Sequence, residues 1–201
     1  MKTTYKKLSA FIKAEMLLNV LMIIAGSLMG PVLVKIKGMV FTVTVLGILM
    51  MIDKLNILFS LLIKNISMSN KHRLVLVSVI LEFIVISMFS FIEIETFIWL
   101  LTIVSMLTGI TLNAFFIDYD VILADMLDKK DFGNLAYIER TLFGFAGIIG
   151  TGFAIMLGEL KAETIMNITG VMVFIVILVT MRQHFLYYKE ITIDNYKDKT
   201  K

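Results

Sequence analysis

Cysteine is absent from this chain of 201 residues. That excludes disulfides, thiolate metal sites and a cysteine nucleophile. Proline occurs once, at Pro31, and histidine twice, at His72 and His184. Two histidines so far apart in sequence do not predict a metal site, which needs convergent ligands. Charge is scarce as well: 17% of residues are charged, against about 25% in soluble domains. The formal net charge of +3 resides in loops and tails, so no nucleic-acid partner is expected. The chain has no phosphate-binding loop, nucleophile elbow or zinc-binding helix motif. It therefore reads as non-enzymatic, with no cofactor and no metal. The acidic run Asp118, Asp120, Asp125, Asp128 and Asp131 lacks the spacing and terminal glutamate of a calcium loop.

What fills the chain instead is apolar sequence, 59% of all residues. A membrane span needs about 17–25 predominantly apolar residues. Six stretches qualify: Met16–Val34, Met39–Ile63, Leu74–Ile92, Phe97–Ile117, Leu135–Leu157 and Ile165–Met181. Backbone groups in lipid must bond within their own segment, so runs of this length are helices. The short alternating segments of a membrane barrel are not seen. The expected fold is an all-α membrane protein, a six-transmembrane-helix bundle over residues 1–186 with a polar tail over 187–201. Basic residues precede the first span as they would a signal peptide. The apolar run is longer than a signal core, however, and no clean cleavage site follows, so it reads as a retained helix.

Loop charge predicts the orientation. With the N-terminus inside, the inner segments hold 14 basic residues and the outer loops only Lys35, Lys37 and Lys161. Positive residues stay on the cytoplasmic side. The expectation is a multi-pass protein of the cell membrane with both termini cytoplasmic. Tyr187 and Tyr188 follow the last span, where interfacial aromatics anchor helix ends.

Ionisable groups within spans cost roughly 2.5–3.5 kcal/mol each on insertion scales, so each needs a partner or a use. Asp53 and Lys54 fall near the middle of the second span and Glu82 near the middle of the third. Lys54 and Glu82 each lie about 14 residues from the centre of the intervening loop, hence both roughly 20 Å from it at 1.5 Å per residue. The depth match predicts a Lys54–Glu82 pair, with Asp53 on an adjacent face and Asn56 one turn further in. The pair is either a structural pin between two helices or part of a substrate or proton path. Asn19 and Asn113 are further pathway candidates that also suit helix packing. Glu139 and Arg140 open the fifth span, where Arg140 is placed to reach Asp118, Asp120 or Glu15 as a gate or interfacial pair.

Small residues Gly144, Gly147, Thr151, Ala154 and Gly158 recur at three- and four-residue steps along the fifth span. Gly26 and Gly30 form a second such pair just before Pro31. Stripes of this kind let helices approach closely in membranes, so both are expected to be packing faces.

The stretch Asp118–Leu160 carries a helix end with Leu123-Ala124-Asp125, a short loop with Lys129-Lys130, and a helix with Gly144, Gly147, Gly150 and Gly152. This order resembles the fourth-to-fifth helix region of major facilitator superfamily transporters, and six spans with both ends inside resemble one half of such a transporter, the N-terminal one. The match in sequence covers about forty residues. Lys71 and Arg73 fit the family's basic loop between the second and third helices, but its glycine and aspartate are missing. Leu101–Thr111 holds no charge where drug antiporters carry an arginine, and Thr151 stands where the fifth-helix motif has proline. In that family the substrate cavity lies between two halves. The resemblance implies a half-size or truncated small-molecule carrier that needs a second half, either a homodimer partner or another chain. Two other readings stay open: a non-transporting membrane interaction protein (immunity, accessory or regulatory subunit), and a permease subunit of an ATP-driven exporter. The Lys/Ile/Asn-rich usage points to a low-GC bacterium.

Overall fold

A computed structural model describes residues 2–38, 55–56, 58–127 and 129–186. Among these residues the chain is all-helical, without strands: α1 (Lys2–Ser27), α2 (Met29–Lys37), a 3₁₀ turn (Leu61–Ile63), α3 (Met68–Ser87), α4 (Ile94–Met126), α5 (Lys129–Leu157) and α6 (Ala162–Leu186). Four helical stretches are long and apolar enough to cross a membrane: Ile12–Lys37, Ile94–Val121, Asp131–Leu157 and Ala162–Phe185.

The break between α1 and α2 follows from the single proline. Pro31 has no N–H for the carbonyl of Ser27, and its ring crowds that carbonyl. The first helix ends at Ser27, and the Leu28 N–H bonds to the Ala25 carbonyl instead, at 3.2 Å. Gly38 then closes α2 in a left-handed conformation, φ +83°, donating its N–H to the Val34 carbonyl at 2.9 Å.

The helices depart from the expected spans in instructive ways. The third span was expected at Leu74–Ile92, but α3 begins at Met68 and ends at Ser87. Backbone hydrogen bonding carries the helix past the apolar run, taking Lys71, His72 and Arg73 onto its first turns. With Glu82 also on it, α3 holds Lys71, Arg73 and Glu82 within 20 residues and is not among the four apolar stretches. In the same way α4 runs 33 residues, roughly 50 Å, and carries Asp118 and Asp120 as helical residues. Most of the second expected span, including Asp53 and Lys54, lies outside the described residues, as does the tail 187–201.

The central helix is α6, which packs on α1, α2 and α3; α4 packs on the outer side of α3 and α5 on the outer side of α1. The core between them holds Leu18, Val75, Val79, Phe115, Tyr119 and Val176. Around it, Phe91, Trp99, Ile155 and Met156 are more than 70% exposed, a surface suited to acyl chains rather than water. Two ion pairs tie the helix ends. Lys37 at the end of α2 meets Glu95 in the first turn of α4 at 3.4 Å. Lys71 in the first turn of α3 meets Asp118 towards the end of α4 at 2.7 Å. The end of α2 and the start of α4 thus share one end of the bundle, and the start of α3 shares the other with the end of α4.

A carboxylate cavity and two polar clusters

Glu82 sits four turns into α3, on the side facing α4 and α6. Its Oε1 accepts a hydrogen bond from the Ser105 hydroxyl at 3.4 Å. The Thr108 hydroxyl lies beside the same carboxylate, near enough to interact with it, and Oε2 is buried with no closer partner among the described residues. Glu82 and Thr108 border a cavity of about 340 Å³ enclosed by α1, α2, α3, α4, α6 and Asn56. That volume is within the range of small-molecule sites. The walls are mostly apolar, from Met22, Leu33, Ile86, Leu101 and Val173 among others.

Asn56 reaches the same cavity. It is 3% exposed, and its Oδ1 has no hydrogen-bond partner among the described residues. Its amide lies directly on Gly109 of α4, where an added Cβ would overlap the side-chain nitrogen. With glycine at 109 the amide can lie on the helix backbone, and any Cβ there would make Asn56 shift. Lys54 and Asp53 fall outside the described residues, so the expected Lys54–Glu82 pair does too. Sequence depth matched Glu82 to Lys54; Ser105 is the partner the described residues provide. Its signal in the sequence was faint, a serine in an otherwise apolar run.

A second cluster forms where α1, α4 and α5 meet. Asn19 donates to Glu15 Oε1 at 2.6 Å. The Tyr119 hydroxyl lies beside the same carboxylate, and Glu139 and Asp120 are close enough for their charges to act on it. Asn19, read as a packing or pathway residue, is a hydrogen-bond donor of this cluster, and Glu139 enters it with Oε1 buried and without a hydrogen-bond partner among the described residues. Arg140 does not. It is exposed, and among the described residues it forms no ion pair with Asp118, Asp120 or Glu15. A helix turns 100° per residue, so Glu139 and its neighbour cannot both point inward. Asn113 is partly buried on α4 and is not among the cavity lining.

The third cluster surrounds Lys71, which is 1% exposed; its ammonium holds Asp118 and donates to the Lys64 carbonyl at 2.9 Å. His72 follows it inward, its ring 5.1 Å from His184 and 4.5 Å from Phe115. The two histidines thus adjoin despite their distance in sequence. No group of three or more potential ligands that could hold a metal occurs among the described residues.

The small-residue stripe on α5, expected to pack within the bundle or across an interface with another half, does not, apart from Ala154, pack within the bundle among the described residues. Nothing lies within 4 Å of a Cβ placed at Gly144 or Gly147, and Thr151 is exposed, its hydroxyl already bonded to the Gly147 carbonyl at 2.8 Å. A Cβ at Gly158 would meet only carbonyls of its own helix turn. The close contact is at Gly150, where a Cβ would stand 2.6 Å from Ser27 Oγ and 3.2 Å from Ile24 Cα on α1. Ala146, one turn before it, is buried, and Ala154, one turn after, packs against the core. The contact face is therefore 146–150–154. Gly26 and Gly30 likewise have open space at their Cβ positions, and Gly26 borders the cavity.

No protein-family model, curated protein or solved structure matches the chain. Among the described residues, fold and site define an all-helical protein with four stretches fit to cross a membrane and a carboxylate-bearing cavity lined from α1, α2, α3, α4 and α6.

Proposed function

We propose that this protein is a small-molecule carrier of the cell membrane, major-facilitator-like and half-size, with the Glu82 cavity as its transport site. The observation that carries this reading is a carboxylate, Glu82, among the residues lining a small-molecule-sized void in a bundle otherwise fit for lipid. An intramembrane carboxyl is costly to keep, and a role in moving solute or protons gives a reason for it. On this reading both termini are cytoplasmic, and the working unit pairs two copies. The face of α5 bearing Gly144 and Gly147 is open, and the stretch Asp131–Leu157 is the least buried of the four spans; both suit a second copy seated there. The same open face would also suit a non-transporting interaction protein, which keeps that second reading in play.

The deciding experiment is solid-supported-membrane electrometry on reconstituted protein. Concentration jumps of a primary amine, a monocarboxylate, a hexose and an amino acid are applied to wild type and Glu82→Gln. The carrier reading expects a current with at least one class, abolished in the Gln variant. Wild-type protein silent with all four would favour the interaction protein.

A further inference from the structure

A second hollow, of about 510 Å³, lies between α3 and α6 with Phe83, Gly170, Val171 and Phe174 along it. It opens on the bundle's exterior, where Val171 is 60% and Phe174 47% exposed. We infer that this groove is a lipid site: one acyl chain of a glycerolipid lies along it, and the ester carbonyl of that chain accepts a hydrogen bond from the Asn167 amide. The inference stands apart from the carrier reading and needs only that the bundle sits in a membrane.

The groove is polar at one end and apolar at the other. Ser87 closes α3 and Asn167 lies in the second turn of α6; both line the groove and both are exposed. Charged residues flank this end, Glu93 and Glu95 after α3 and Lys161 and Glu163 before Asn167. That places Ser87 and Asn167 where headgroups give way to hydrocarbon. Phe83 and Phe174, their rings 5.7 Å apart, lie one turn below Ser87 and two turns below Asn167. From Asn167 to Phe174 the groove runs about 10 Å at 1.5 Å per residue, most of the roughly 15 Å of hydrocarbon in one leaflet.

The hydrogen-bonding groups select the ligand's polar atom. The Ser87 hydroxyl donates to the Phe83 carbonyl at 2.8 Å, so it has only lone pairs left to offer. The Asn167 side chain is bonded to nothing among the described residues and presents two N–H donors. A lipid ester is the acceptor available at this depth, whereas the backbone carbonyls of a neighbouring helix are already bonded within that helix. No charged side chain among the described residues lines the groove, so headgroup charge should not be read.

A phosphatidylcholine carrying a diazirine on one acyl chain tests this, photolysed with the full chain in detergent micelles and mapped by peptide mass spectrometry. Labelling at Phe83, Val171 or Phe174 should saturate. Unlabelled ester phosphatidylcholine and phosphatidylglycerol should compete equally, and dialkyl-ether phosphatidylcholine at least fivefold less well. Asn167→Leu should remove the ester preference, and Val171→Trp, which fills the groove, should cut labelling there at least fivefold. Labelling that rises without saturation, or that is no stronger than at Trp99 on the exposed face of α4, would overturn the inference, as would an ester preference that survives Asn167→Leu. Groove labelling that disappears as the protein self-associates would give this face to a second copy and overturn it too. If a variant fails to elute as a folded species, the wild-type competition series decides alone.

Discussion

Lys71 of α3 and Asp118 of α4 form an ion pair at 2.7 Å, with the lysine side chain 1% exposed and the aspartate 31%. The asymmetry predicts unequal consequences. Breaking a buried pair costs about 3–5 kcal/mol, most of it from the charge left behind. Asp118→Asn strands an ammonium whose remaining partner is the Lys64 carbonyl. Lys71→Met strands a carboxylate that water already reaches. The thermal midpoint in detergent should therefore fall further for Asp118→Asn than for Lys71→Met. The opposite order would mean that Lys71 reaches water on its own.

At Gly150 the close approach of α1 sets a steric limit. Even an alanine Cβ would press on Ser27 and the α1 backbone, and overpacking of this kind costs about 1–3 kcal/mol. Gly150→Ala should lower the folded yield, and Gly150→Leu should abolish it. Gly147→Leu should leave the yield of folded protomer near wild type, because the Cβ position is open. If a second copy docks on that face, the same change should reduce the dimer fraction counted by single-molecule photobleaching in bilayers. Loss of folded protomer in Gly147→Leu would show that the stripe packs within the bundle after all.

Asn56 and Gly109 make a pair that a double-mutant cycle resolves. A methyl at Gly109 would displace the Asn56 amide, so Gly109→Ala should destabilise the fold by about 1–3 kcal/mol. Asn56→Ala removes the obstacle, and Gly109→Ala added to it should then be close to neutral. Additive losses in the double variant would separate the two residues.

The sequence exposed some of this and hid the rest for physical reasons. Lipid demands length and apolarity, which made the spans around α1, α4, α5 and α6 legible. Glu82 stood out because a carboxylate in an apolar run is rare and costly. Depth along a helix is also readable from residue counting, but the direction around its axis is not. That is why Glu82 could be levelled with Lys54 and not with Ser105, and why Arg140 was expected inward where Glu139 is. On α5 two small-residue registers interleave, 144–147–151 and 146–150–154, with Ala154 shared by the expected stripe and the observed contact. Spacing alone cannot choose between them; the close approach of the Ile24 backbone and the Ser27 side chain to Gly150 does. Lys71 was read as a loop residue because helix formation extends six residues beyond the apolar run of the third span.

The natural absence of cysteine makes the most direct test of a carrier cavity straightforward. Thr102 lines the void on α4, and its hydroxyl bonds only to its own helix, so Thr102→Cys should be borne without loss of fold. The single thiol is exposed to a membrane-impermeant, positively charged methanethiosulfonate reagent in right-side-out and in inside-out vesicles. A cavity that opens alternately to the two sides predicts labelling from each, slowed by Glu82→Gln because the carboxylate no longer draws the cationic reagent. Labelling from one side only, or from neither, would contradict transport through this site.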